Sequence, residues 1–189
     1  MTKKADLKDD NNLQHHLHTA KTLVYDKCGF DFGGLVADDE SQEYGACTFR
    51  LNGLKIKFRI SKITPTKTGQ FVTIWKRNKE GVTQPFDLAD EIDFLIISSQ
   101  HGADLGQFIF PKSVLLDKGI ITGNDKEGKR GIRVYPSWDI VTNKQAEKTQ
   151  LWQIKYFLII NNSDRTNLNL PKQLLNTVAE KNDEQPIQD

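Results

Sequence analysis

Cysteine is nearly absent: Cys28 and Cys47 are the only two in 189 residues. Two thiols make neither a disulfide framework nor a zinc-ligand pattern, so the chain must fold on its core alone. Long apolar runs are missing as well. The cleanest, residues 94–97 and 157–160, fall far short of the ~20 residues that a membrane-crossing helix needs. The first thirty residues carry Lys, Asp, Asn and His where a secretory signal would carry an apolar core. There is no Gly-x-Ser-x-Gly elbow, no Gly-x-x-x-x-Gly-Lys phosphate loop and no Gly-x-Gly-x-x-Gly fingerprint. Internal repeats and low-complexity tracts are absent too. The expectation is a cytoplasmic protein of a reducing compartment that makes no use of a membrane.

What is present suits one folded domain. Hydrophobic residues make up 37% and aromatic residues 9%, too apolar for a disordered chain. We expect a single domain over residues 1–165, followed by a short helix near residues 172–179 and a polar, flexible tail within 166–189. Residues 11–27 place Leu13, Leu17, Ala20 and Val24 at helical spacing, with Gly29 as the stop. His15, His16 and His18 lie on that helix, but no pair stands four apart and no acid joins them, so no metal site is expected. Residues 31–46 read as an acidic loop. Asn52-Gly53 marks a tight hairpin, and its second arm alternates Leu54, Ile56, Phe58, Ile60 with Lys55, Lys57, Arg59. Burying the first set predicts that the second faces solvent. Strands are also expected at residues 70–77, 92–98, 107–111 and 131–135. Thr142-x-x-Gln145 has the form of a capping box that opens a helix running to about Ile160 and covering the sheet. The fold class is therefore α/β or α+β, a mixed central sheet flanked by helices.

The net charge of +1 conceals strong segregation. Residues 47–86 hold nine basic side chains against Glu80 alone, while residues 87–104 hold five acids and no base. Such asymmetry suggests a positive face able to attract phosphates.

Four ordered segments carry a family resemblance: KITPTKTGQFVTIWKR (residues 62–77), GQFIFPK (106–112), GKRGIRVYPSWD (128–139) and KQAEKTQLWQ (144–153). Together they resemble the MepB family over roughly residues 40–160. The resemblance implies a fold similar to the restriction-endonuclease-like, PD-(D/E)xK group. It also implies nucleic-acid binding more readily than cleavage, and a setting beside a drug-efflux operon.

A nuclease of that kind needs an Asp, then an acid and a Lys two apart on the next strand, to hold Mg²⁺ and activate water. Asp93 heads one strand, but the next offers Gln107 and Ile109 where acid and Lys are required. Lys112 follows Pro111 at the strand end. An Mg²⁺-dependent nuclease built on Asp93, Gln107 and Lys112 is therefore the alternative, and a non-catalytic protein without cofactor is the main reading.

The basic blocks point to phosphate contacts. Lys62, Thr64, Thr66 and Lys67 combine cations and hydroxyls in one loop. Lys76 and Arg77 follow Trp75, which either lies in the core with Phe71 or stacks a base. Lys112, Lys129, Arg130, Arg133 and, on the late helix, Lys148 complete the candidate set. Gln145, Thr149 and Gln153 add uncharged hydrogen-bonding groups at steps of four. The expected partner is nucleic acid, with single-stranded DNA or RNA favoured because no helix has the basic tip of a major-groove reader and Trp75 and Tyr135 are placed to stack.

Overall fold

Residues 7–123, 126–161 and 166–183 are described by the structure, a computed structural model. Helix α1 (Leu7–Ala20) runs through one wide turn, Lys21–Tyr25, into α2 (Asp26–Cys28), and Gly29 ends it at φ 73°. The strands then follow: β1 (Phe32–Ala37), β2 (Cys47–Leu51), β3 (Leu54–Ile60), β4 (Lys62–Thr64), β5 (Lys67–Thr73), β6 (Trp75–Arg77) and β7 (Thr83–Pro85). Next come β8 (Phe94–His101), β9 (Asp104–Pro111), α3 (Lys112–Asp117), β10 (Gly131–Val134), α4 (Lys144–Gln153), β11 (Phe157–Ile160) and α5 (Asn169–Asp183).

Six strands form a central sheet in the order β1-β2-β3-β8-β9-β11. The β3–β8 pair is parallel and the others are antiparallel, so the sheet is mixed and helices flank it. A small antiparallel sheet, β10-β5-β4, stands apart from it. Asn52 and Gly53 both adopt positive φ, 50° and 80°, the pair that a two-residue hairpin turn demands. Strand period sends alternate residues to opposite faces. Leu54, Ile56, Phe58, Phe94, Ile96 and Leu158 meet α1 and α5 on one face, while Leu95, Ile97, Phe108 and Phe110 meet Val72, Ile74, Ile132 and Val134 of the small sheet on the other. Among the described residues, no helix is long and apolar enough to cross a membrane.

Several expectations need correction. Residues 32–37 pair as β1 rather than lying in a loop, and residues 70–77 divide between β5 and β6. The late helix stops at Gln153, and Phe157–Ile160 pair with β9 as an edge strand. A helix would separate those four consecutive apolar residues around its circumference. The strand instead buries Phe157 on one face and Leu158 and Ile160 on the other. The cap of α4 is Asn143, whose side chain accepts from Ala146 N–H at 2.9 Å, not Thr142. Helix α5 is longer than residues 172–179 and its Leu175 is buried in the core, so the folded unit continues past residue 165. The tail beyond residue 183 lies outside the described residues.

The largest departure is the polar face of β3. Arg59 is only 1% exposed, and Lys55 and Lys57 are half-buried rather than solvated. Arg59 shares its face with its cross-strand neighbour Ile97, in the layer that meets the small sheet. A cation there needs an anion, and Asp38 supplies it. Arg59 Nη1 donates to Asp38 Oδ2 at 2.8 Å, Lys57 Nζ to Oδ1 at 3.0 Å, and Thr48 Oγ1 to Oδ1 at 2.7 Å. Lys55 pairs with Glu91 at 2.8 Å. Burial pushes the Asp38 carboxyl up, but Arg59, Thr48 and Lys57 together hold it below the usual carboxylate range.

On the opposite face, His16 of α1 is buried with Nδ1 2.8 Å from Ser98 Oγ, a packing role rather than a metal ligand's. Burial, with some help from His15, pushes its imidazole down from 6.5 to about 4. Between those values the unfolded chain carries a proton that the folded chain refuses, so stability falls as pH drops from 6.5 towards 4. Urea unfolding should register a loss of about 2 kcal/mol between about pH 7.5 and pH 5. His16→Gln keeps a hydrogen-bonding group for Ser98 and should flatten that limb. An unchanged limb in the variant would contradict the assignment.

Candidate functional site

Strand β10 is the edge of the small sheet, and an edge exposes N–H and C=O groups that need partners. Gln153, the last residue of α4, closes it. Its Oε1 accepts from Tyr135 N–H at 2.9 Å and its Nε2 donates to Arg133 C=O at 3.0 Å, much as a neighbouring strand would. Gln150, one turn earlier, donates to the carbonyls of Pro136 and Asp139, each at 2.9 Å. These amides fix α4 beside β10. Trp152 also anchors the helix, packing on Phe110 with ring centroids 5.3 Å apart.

A cleft of about 730 Å³ opens between α4, β10, the β4–β5 turn and the end of α3. Lys67, Lys118, Lys129 and Arg133 line it, and among the described residues no Asp or Glu does. Its neutral groups are hydroxyls and amides, among them Thr66, Thr68, Thr142, Asn143, Gln145 and Thr149. The turn that carries Lys67 is stiffened from below. Arg133 Nη1 donates to Gly69 C=O at 2.8 Å, with the carbonyls of Thr68 and Lys67 a little farther off. Gly69 takes φ 81° with the Tyr135 ring against its Cα, so a side chain there would be strained and would collide with the ring. Lys118 extends over Trp152 at 5.8 Å and also meets the neighbouring Asp117 at 2.7 Å. Ammonium groups, a guanidinium, hydroxyls and a helix-side row of amides suit phosphate oxygens. The cleft's lining presents no nucleophile activated by a base.

The candidates from sequence divide into two groups. Thr66, Lys67, Lys129 and Arg133 come together in the cleft from segments more than sixty residues apart in the chain. Gln145, Thr149 and Gln153 join them, whereas Lys148 lies on the exposed side of α4 and outside the lining. The rest are engaged elsewhere. Lys76 binds Asp87 and Asp90 at 2.8 and 2.7 Å. Arg77 pairs with Glu40 at 2.6 Å and lies over the half-buried Trp75 ring at 5.2 Å. Arg130 pairs with Glu127 at 3.0 Å, and Lys62 sits over the Tyr44 ring at 4.7 Å. The Thr64 hydroxyl is buried without a hydrogen-bond partner. Lys118, by contrast, had no signal in the sequence: it follows a short helix with no basic neighbour before it, and only the fold brings it to the cleft.

The alternative nuclease set does not converge. Gln107 lies opposite Ser98, five residues along β8 from Asp93 and hence roughly 16 Å away down the sheet. Its side chain is fully buried towards Tyr25, whose hydroxyl donates to Gln107 Oε1 at 2.8 Å. Asp93 Oδ2 accepts from Lys55 N–H at 2.7 Å at the sheet's far end. Lys112 Nζ is held by the carbonyls of Leu88 and Asp90, at 2.8 and 2.6 Å. Asp93 and Lys112 do share a second cavity, of about 660 Å³, but with Arg50, Lys55 and Glu91 and without Gln107. Among the described residues, no three His, Cys, Asp or Glu gather in a way that holds a metal ion. Asp93, Gln107 and Lys112 therefore do not form one Mg²⁺-binding set.

The chain matches the MepB-like family over residues 38–159, and it belongs to that family. Among solved structures it is similar to a crystal structure of MepB, with 38% identity and a TM-score of 0.68, over 70% of this chain and 89% of that one. A bacterial homing endonuclease is similar at 16% identity and a TM-score of 0.42, over 94% of this chain and 98% of that one, too distant to transfer any chemistry. A search of curated proteins gave no match. The family segment takes in the whole cleft from Thr66 to Gln153, and it leaves out α1 and α5.

The amide clamp is open to a direct test. Gln153→Leu preserves bulk but strands the Tyr135 N–H and the Arg133 C=O, so urea unfolding should show a loss of about 2 kcal/mol or more. A loss within about 0.5 kcal/mol would show that the amide does not close the edge of β10.

Proposed function

We propose that this chain is a non-catalytic nucleic-acid-binding protein, working in the reducing cytoplasm and in the setting of a drug-efflux operon, and that its cleft grips the phosphate backbone of a single strand of DNA or RNA. One observation carries the reading: a cleft of about 730 Å³ lined by Lys67, Lys118, Lys129 and Arg133 with no carboxylate among the described residues. In a chain of net charge +1, where most cations of residues 47–86 are matched by acids, a group of four cations of which only Lys118 meets an acid, its exposed neighbour Asp117, favours an anionic ligand. Tyr135 at the cleft wall offers a ring to a splayed base, which favours a single strand over a duplex whose bases stay stacked.

The test is one binding series on single- and double-stranded DNA and RNA of equal length, with and without Mg²⁺ or Mn²⁺. Single strands should bind saturably and best, and no cleavage products should appear. If about four phosphates are neutralised, log affinity should fall against log salt with a slope near −3. Lys67→Ala and Lys129→Ala should each make that slope shallower by about 0.7 without changing sequence preference. Lys76→Ala should leave the slope alone, because Lys76 is engaged by Asp87 and Asp90. Absence of saturable binding at physiological salt, or slopes indifferent to Lys67 and Lys129, would overturn the reading.

A further inference from the structure

We propose that Trp152 is a base-stacking platform in the cleft, with Lys118 beside it for a phosphate, so that the site prefers a strand bearing bases to a bare polyanion. The inference rests on the single-strand reading of the cleft and adds a chemical selectivity to it. Cations and hydroxyls alone would suit any chain of phosphates. The lining is not of that kind throughout. Two aromatic rings, Tyr135 and Trp152, belong to it together with Ile120, Ile132 and Ala146. Both rings are half-buried, seated in the fold yet reached from the cleft. They stand on adjoining parts of the wall, because Gln153, the residue after Trp152, accepts from Tyr135 N–H at 2.9 Å.

Trp152 is firmly placed. Its ring packs on Phe110 with centroids 5.3 Å apart, and the amides of Gln150 and Gln153 pin α4 on either side of it. A flat ring already fixed by the core needs little further ordering when a base lies against it. Lys118 supplies the charge. It lines the same cleft, and its ammonium group lies 5.8 Å from the centre of the Trp152 ring. The Lys118 backbone is held, its N–H donating to Val114 C=O at 3.0 Å, but its side chain is exposed. Its ion pair is with the adjacent, exposed Asp117, and a surface pair of that kind is weak. Lys118 Nζ can therefore leave the ring for a phosphate oxygen while the base of the same strand takes its place there. An aromatic face and a cation side by side in one cleft are the two parts that proteins use to hold single strands.

The test compares oligothymidylate with an abasic chain of equal length, the same deoxyribose-phosphate backbone without bases. Oligothymidylate should bind about tenfold more tightly at the same salt and quench tryptophan fluorescence, whereas the abasic chain should bind without quenching. Trp152→Leu keeps an apolar side chain against Phe110 and should erase that preference, with abasic affinity and salt slope unchanged because no charge is removed. Trp152→Phe should retain the preference and lose the quench, since neither Trp75 nor Trp138 lines the cleft. Lys118→Ala should make the slope shallower by about 0.7 for both ligands. Equal affinity of the wild-type chain for the two ligands, or a quench that survives Trp152→Phe, overturns the platform whether or not Trp152→Leu folds. A Trp152→Leu chain that melts like wild type and keeps the preference overturns it as well. In each of these cases the cleft stands if Lys129→Ala still weakens binding. If neither ligand binds, the platform falls together with the cleft reading.

Discussion

A guanidinium withdrawn from water must be met by a carboxylate, and Arg59 meets Asp38 at 2.8 Å on the face of the central sheet that receives the small one. That pairing is the first of a series. Lys57 shares Asp38, Lys55 takes Glu91, Lys76 takes Asp87 and Asp90, and Arg77 takes Glu40. The acids come from the two segments on either side of the basic block. Segregation of charge along the chain is therefore the reverse of its arrangement in space, where the blocks neutralise one another. Removing Asp38 would leave the Arg59 guanidinium buried without a counterion, typically a cost of about 3–5 kcal/mol. The same compensation decides which cations remain available. After it, among the described residues, Lys67 and Lys129 pair with no acid, Lys118 meets its exposed neighbour Asp117, and Arg133 bonds to backbone carbonyls. Function, on this account, is what the packing leaves unneutralised.

Much of the central sheet was legible in the residues. The positive-φ turn at Asn52-Gly53 and the alternation that follows it locate β2, β3 and the register between them. Continuous apolar runs mark β8 and β9 because both of their faces are covered. What alternation does not reveal is what covers the second face. Lys55, Lys57 and Arg59 read as solvent-facing, since their partners lie far off in sequence at Asp38 and Glu91. Strand β1 escaped notice because Phe32-Gly-Gly-Leu-Val-Ala37 shows no alternation and its backbone is bulged between Gly33 and Val36. Strand β11 was hidden by the absence of any Gly or Pro between α4 and Phe157. Gly106, where any side chain would strike the Phe157 ring, marks the close contact that seats that strand, but only once the pairing is known.

The site was legible by residue type and not by selection. A loop of Thr and Lys, a Gly-Lys-Arg-Gly turn and a helix with Gln and Thr at steps of four all contribute to the cleft. Yet of neighbours such as Lys129 and Arg130, one lines it and the other pairs with Glu127. On α4 the neutral side faces the cleft and the lysines face away, because Gln150 and Gln153 must reach the loop and edge of β10. Helical periodicity identifies two sides without saying which is turned inward. Gln107 stands apart from Asp93 and Lys112 for a related reason. Spacing places Asp93 and Gln107 on consecutive strands, but the antiparallel register sets them at different levels of the sheet.

The most direct measurement is an amide hydrogen-exchange footprint with a saturating single-stranded oligonucleotide. The account predicts added protection in residues 66–69, 129–135 and 142–153, with the segments around Arg50, Lys55 and Lys112 unchanged. Protection centred on those three residues, at the cavity that holds Asp93, would contradict it and move the binding face to the other end of the sheet.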